Sequence, residues 1–146
     1  LCLRWLAVRS RSRRELARRL RRHGVSPGVA DEVLDRLQSV SLVDDDAFSR
    51  AYVRSRLQTG GRSRRMMRAE LARRGVDPEL ADTVAAEELP ADESASCEEL
   101  AEKKARSYRG LERAVARRRL AAFLGRRGFS SEDVFRAVDK ALPEEE

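Results

Sequence analysis

Arginine is the residue type in this sequence best equipped to do chemistry: its guanidinium stays charged at any working pH and offers a planar fork to carboxylates and phosphates. Of 31 basic residues, three are Lys (Lys103, Lys104 and Lys140) and 28 are Arg. They are grouped. Residues 12–23, 62–74 and 111–127 each hold six Arg and one Glu. The segments that follow are acidic: 26–38 carries Asp31, Glu32 and Asp35 against Arg36, 77–88 carries five acids and no base, and 130–146 carries six acids against Arg136 and Lys140. The formal net charge is +6, and residues 1–43 hold the excess. This pattern points to polyanionic partners, either nucleic acid or an acidic protein surface.

Other chemistries lack their residues. Cys2, Cys97 and the single His23 form no CxxC or HExxH spacing, so no structural metal and no cofactor are expected. One His and no Walker-type Gly loop leave no route to an enzyme. Cys97 stands beside Glu98 and Glu99, which hold a thiol protonated. Asp44, Asp45 and Asp46 read as a helix cap and dipole complement, not a metal cluster. No apolar run reaches the roughly 20 residues of a membrane span, and Leu1 to Val8 is too short for a signal peptide. A cytoplasmic monomer is expected.

The elements that position the arginines repeat. Leu20-Arg21-Arg22-His23-Gly24-Val25, Leu71-Ala72-Arg73-Arg74-Gly75-Val76 and Leu124-Gly125-Arg126-Arg127-Gly128-Phe129 are three copies of one pattern, 51 and then 53 residues apart. Leu16, Met67 and Leu120 stand eight residues before each closing Gly and continue the apolar stripe, so each copy is a helix stopped by glycine. Ser26, Asp77 and Ser130 then cap another helix, the first two with Pro behind them. A preceding helix completes each unit, with Phe48 and Tyr52 on a core face and the polar end of Tyr52 able to reach a partner. The expected helices are 1–9, 12–23 and 26–38; 45–58, 63–74 and 77–88; and 97–108, 111–126 and 131–141. Ser12 to Glu15 and Ser96 to Glu99 read as capping boxes. No period-2 alternation suggests a sheet. The fold expected is all-α, an elongated array of three tandem three-helix repeats, 1–43, 44–92 and 93–146, that stack to stabilise one another.

Each middle helix is basic, and Arg13, Arg14, Arg64 and Arg65 stand in first turns, where the helix dipole disfavours cations. Local stability does not call for them there. Three positive ridges at a common interval would match a periodic polyanion. The competing reading is that basic and acidic helices simply pair at the surface. A helix-turn-helix reading of DNA sequence is disfavoured, because the second helices are acidic.

The sequence resembles the bacterial RecX family of recombination regulators. The likeness lies in Ser12-Arg13-Arg14-Glu15-Leu16 with Leu20 and Gly24; in the central block from Leu42 through Asp44, Phe48, Tyr52 and Val53 to Arg56; in Gly61, Glu70-Leu71 and Gly75-Val76; and in Phe123-Leu124 with Gly128-Phe129. The resemblance implies a protein that binds the RecA recombinase filament in its groove and inhibits its extension, ATPase and strand exchange. It would thereby modulate recombination, DNA repair and the SOS response. Arg13, Arg14, Arg18, Arg21, Arg22, Arg64, Arg65, Arg68, Arg117, Arg118 and Arg119 are the candidate contacts to RecA or to single- or double-stranded DNA without sequence preference. The alternative is a helical-repeat protein that binds DNA without RecA.

Overall fold

A computed structural model describes residues 1–145 and contains nine α-helices and one 3-10 turn, with no strand among those residues. The first unit is α1 (Cys2–Val8), α2 (Arg13–Arg22) and α3 (Pro27–Ser39). The second is α4 (Asp45–Gln58), α5 (Arg64–Arg73) and α6 (Pro78–Glu88). The third is α7 (Glu93–Ala105), the 3-10 turn Arg106–Tyr108, α8 (Arg113–Arg126) and α9 (Ser131–Ala141). None of these helices is long and apolar enough to cross a membrane.

Local chemistry sets most helix ends. Ser12 and Glu15 form a reciprocal capping box, Asp44 accepts from the Ala47 amide, and Ser63 accepts from the Met66 amide. Gly24 and Gly75 adopt φ of +80° and +89°, and the amides of Val25 and Val76 reach back to the carbonyls of Leu20 and Leu71, closing each helix by a left-handed residue. One expected start is wrong. Ser96 to Glu99 do not form a capping box; α7 begins a turn earlier, capped by Asp92 on the Ala95 amide, and Ser96 lies inside it. The extra turn is held by a tertiary contact, since Glu93 accepts from the Arg64 amide at 2.6 Å.

Each unit buries its own small core. Leu16, Leu20 and Leu34 with Trp5 form the first, Met67, Leu71 and Val84 with Phe48 the second, and Leu120, Leu124 and Ala137 with Phe129 the third. The exposed surface is 9240 Å², against about 7,500 Å² for a compact monomer of this mass. The array is elongated because its cores stay separate.

The units meet instead at the ends of their middle helices. The Ser12 hydroxyl at the start of α2 donates to the Arg74 carbonyl at the end of α5, and the Ser63 amide at the start of α5 donates to the Arg127 carbonyl at the end of α8 at 3.0 Å. Each joint is capped from the following unit by an acid, Asp45 on the Arg13 amide at 2.9 Å and Glu93 on the Arg64 amide. α2, α5 and α8 therefore follow one another with carbonyl end against amide end, which aligns their dipoles favourably. A Cβ on Gly75 would lie 2.5 Å from the Arg14 Cβ, and one on Gly128 would lie 2.5 Å from the Ser63 Oγ. A Cβ on Gly24 would meet nothing within 4 Å.

This geometry ranks three substitutions. Gly24→Ala costs the left-handed penalty alone, about 1 to 2 kcal/mol. Gly75→Ala and Gly128→Ala add overpacking of about 1 to 3 kcal/mol. Urea unfolding should place both well below Gly24→Ala; equal losses at all three positions would mean that the joints carry no close contact.

Candidate polyanion-binding cleft

The two joints leave clefts in register along the array. At the first, α2 and the chain before it face α4 and α5 across a cleft of about 510 Å³. Arg9, Arg11, Arg18, Arg19 and Arg22 line it from the first unit and Arg56, Arg73 and Arg74 from the second, with Tyr52 between and Glu15 and Glu70 as the two acids. Both acids are already engaged. Glu15 meets Arg9 at 2.9 Å and Arg74 at 3.8 Å while closing its capping box, and Glu70 meets Arg62 at 3.2 Å. The guanidinium carbons of Arg56 and Arg74 lie 5.0 and 5.4 Å from the Tyr52 ring centroid, and that of Arg19 lies 4.6 Å from Trp5. These stacking contacts orient the forks without neutralising them.

Arg11 is the most exacting member of the cleft. Its Nε is buried without a hydrogen-bond partner, and burial, followed by the nearby charges of Arg9 and Arg19, holds its guanidinium below the ordinary arginine value. Arg11, Arg18, Arg22 and Arg73 have no carboxylate within ion-pair distance among the described residues. A phosphate or carboxylate entering here would meet cations with no internal competitor.

The second cleft, about 610 Å³, has a different character. Leu100 stands where the first has Tyr52, Lys104 where it has Arg56, and Phe123 where it has Glu70. Lys104 and Arg127 rest on the Phe123 ring at 4.8 and 4.9 Å, and Lys103 pairs with Glu99 at 3.3 Å. Cationic focusing belongs to the first joint.

The arginines singled out from sequence divide into two groups. Arg13 reaches Asp35 at 2.8 Å and Gln38 at 2.7 Å, Arg68 reaches Asp82 at 3.3 Å, and Arg117 binds Asp139 and the Leu142 carbonyl. Arg64 donates to the Ala86 carbonyl at 3.5 Å and Arg65 to that of Gly128 at 3.3 Å. Arg14, Arg18, Arg21, Arg22, Arg118 and Arg119 are exposed and have no ion pair among the described residues. Three equivalent ridges do not form. Aligned on the closing glycines, Arg18 and Arg21 correspond to Ala69 and Ala72 in the second unit and to Ala122 and Gly125 in the third, so only α2 carries a full outward cationic face. Equal charge totals per helix conceal this, because α5 and α8 carry their arginines at other positions, Arg64, Arg65 and Arg73 near the ends of α5 and Arg117, Arg118 and Arg119 in the middle of α8.

Arg9, Arg11, Arg19, Arg56, Arg73 and Arg74 are the cleft residues that counting by middle helix did not single out. The excess charge of residues 1–43 was the available signal for the first three. The Cys97 thiol is pushed up to about 11, by burial first and by Asp133 and Glu98 after it. Burial, more than the adjacent glutamates, keeps it protonated.

Comparison with known proteins places this architecture. Family models for the first, second and third three-helix domains of RecX match residues 1–37, 44–84 and 91–138. The chain is 39% identical over 145 residues to regulatory protein RecX of Streptomyces coelicolor, covering 99% of this chain and 77% of that protein. It is 44% identical over 131 residues to regulatory protein RecX of Mycobacterium marinum, covering 89% of this chain and 76% of that one. The crystal structure of RecX from Lactobacillus salivarius shares the fold, with a TM-score of 0.75 at 21% identity over 96% of this chain and 91% of that one. Three tandem three-helix units in this order, matched along almost the whole sequence, make the chain a member of the RecX family of regulatory proteins.

Proposed function

We propose that this protein binds the RecA recombinase filament along its groove and inhibits its extension, ATPase and strand exchange, modulating recombination and DNA repair. It acts as a cytoplasmic monomer of three units divided after residues 43 and 92. The observation that carries the reading is the first-joint cleft, where eight arginines face two engaged glutamates. An elongated molecule with one strongly cationic joint suits a long, negatively charged groove better than a small substrate. Occupying that groove blocks monomer addition and strand access by bulk, while the cleft supplies attachment to DNA phosphate or to acidic protein. The same arginines favour a second reading, sequence-nonspecific DNA binding without RecA. Among the arginines singled out from sequence, Arg18 and Arg22 fit either reading best, since both line the cleft and neither is paired.

The two readings separate in a mobility shift. A filament regulator associates far better with RecA-coated single strands than with bare DNA, and a plain DNA binder does the reverse. RecA ATP hydrolysis on single-stranded DNA should fall as this protein is added at low salt; hydrolysis unchanged at several-fold excess rejects the filament reading. If the cleft holds phosphates, Arg18→Gln with Arg22→Gln lowers the slope of log affinity against log salt by about 1.4 on single strands, roughly 0.7 for each lost contact. An unaltered slope would place the phosphates elsewhere. Arg11→Met should weaken polyanion binding while leaving the thermal midpoint unchanged or higher, because it removes a half-buried cation whose Nε has no partner and which Arg9 and Arg19 repel. A lowered midpoint would show that Arg11 supports the fold instead.

A further inference from the structure

The third unit departs from the others at a place its fold does not require. In the second unit Arg68 of α5 pairs with Asp82 of α6 at 3.3 Å. The equivalent residues of the third unit are Ala121 on α8 and Phe135 on α9. The first unit has Asp31 at this place, 3.9 Å from Arg13. An acid that faces an arginine across the two helices has thus given way to an aromatic ring, while the small residue opposite it, Ala121, matches Ala17 of the first unit. Ala72 is likewise replaced by Gly125, which lowers the floor further.

The result is an open groove of about 440 Å³ between α8 and α9, walled by Phe129, Val134 and Val138. Phe135 stands at its edge with 66% of its surface exposed, the one aromatic ring among the chain's large exposed hydrophobics in the described residues. Arg117 and Arg118 lie at one end. Arg117 is engaged by Asp139 and the Leu142 carbonyl. Arg118 is exposed and has no carboxylate partner among the described residues.

We propose that this groove docks a protein segment that sets an apolar side chain against Phe135 and a carboxylate on Arg118. Charge and chemistry choose the occupant. A nucleic-acid backbone would find one available cation beside an apolar wall, a poor match for a run of phosphates. A second copy of this chain offers Leu3 and Val8 on α1, whose neighbours Arg4 and Arg9 would face Arg118 with like charge, or Val29 and Leu42 near Asp31 and Asp44, a dimer that the test below would reveal. An acidic, apolar segment satisfies both halves of the groove, as a helix or strand does when an apolar anchor enters a pocket and a charge at the rim fixes its register. The site is distinct from the arginine cleft, so one molecule can hold a polyanion at its first joint and a protein surface at its third unit. Naming RecA as the protein bound rests on the filament reading above; the groove itself does not.

The molecule supplies its own control. Ala121→Arg with Phe135→Asp transplants the ion pair of the second unit onto one half-buried and one exposed position, the same exposure that Arg68 and Asp82 have, so the variant should fold with its thermal midpoint retained. Two probes are used with the full chain. The first is a fluorescein-labelled helical peptide with leucines at i and i+4 flanked by glutamates, read by anisotropy. The second is a RecA filament on single-stranded DNA held with a non-hydrolysable nucleotide, read by co-sedimentation. Peptide affinity should fall by about tenfold or more in the double variant, as loss of an anchoring aromatic does, and similarly in Arg118→Glu, with bare single-strand binding unchanged. Filament retention should fall in parallel. Peptide binding that is absent, or equal in wild type and double variant, overturns the groove. So does a double variant that loses only DNA binding, or one whose effect is conversion of a dimer to a monomer. Peptide binding that behaves as expected while the wild type ignores the filament rejects RecA as the partner and leaves the groove standing.

Discussion

The array depends on one recurring contact, the passage of a helix start across a glycine that closes the corresponding helix of the next unit. At Gly75 and Gly128 a Cα hydrogen occupies the space any side chain would need, and the released approach lets Ser12 and Ser63 bond to the carbonyls of Arg74 and Arg127. An acid from the following unit caps each helix start as well. A few such bonds, each with a net value of about 1 kcal/mol and somewhat more where a carboxylate takes part, set the orientation between units whose cores do not merge. Most repeat proteins share a continuous apolar core between neighbours. Here the joint is polar and the glycine is its enabling residue.

That joint also explains where the charge collects. The last turn of a helix favours cations, and Arg73 and Arg74 occupy the last turn and cap of α5. Setting this end against the start of α2 brings them opposite Arg18 and Arg22. On the other side of the middle helices the acidic α3, α6 and α9 take up Arg13, Arg68 and Arg117. A further clamp joins Arg50 and Arg54 of α4 to Glu87 and Glu88 at the end of α6, and holds the Glu88 carboxyl below its ordinary value through hydrogen bonds from Arg54 and Arg50. Surface pairing therefore engages one set of arginines, while Arg11, Arg18, Arg22 and Arg73 in the cleft keep no carboxylate partner among the described residues.

The helices were legible in sequence because their signals are local: Ser12 with Glu15, Asp44 three residues before Ala47, and Gly24, Gly75 and Gly128 at the stops. The start of α7 was not, since Glu93 is held by the Arg64 amide of another unit and no spacing within residues 87–99 reports that contact. The cleft was legible only as an excess of charge. Whether an arginine is available depends on its angle around the helix and on which acid the next helix brings to it. A sum over a segment discards both. Arg13 and Arg18 contribute alike to the total for α2, yet one is tied to Asp35 and the other faces the cleft.

A triplicated chain offers a comparison that a single domain cannot, because three segments adopt one fold and any position at which they differ is released from the demands of that fold. The closing glycines and the leucines or methionine before them do not vary in kind. Arg18 and Arg21 have become Ala69 and Ala72, then Ala122 and Gly125, with no change in the helix that carries them. Ala116 occupies the third-unit position of Ser12 and Ser63, and α8 runs one turn further back to Arg113. The residues after α9 lie over its helix start, through Arg117 on Leu142 and Arg113 on Glu145. The third unit's surface diverges most in chemistry where Phe135 takes the place of Asp82. The cationic joint at one end and the apolar groove at the other are thus independent additions to a scaffold that needs neither.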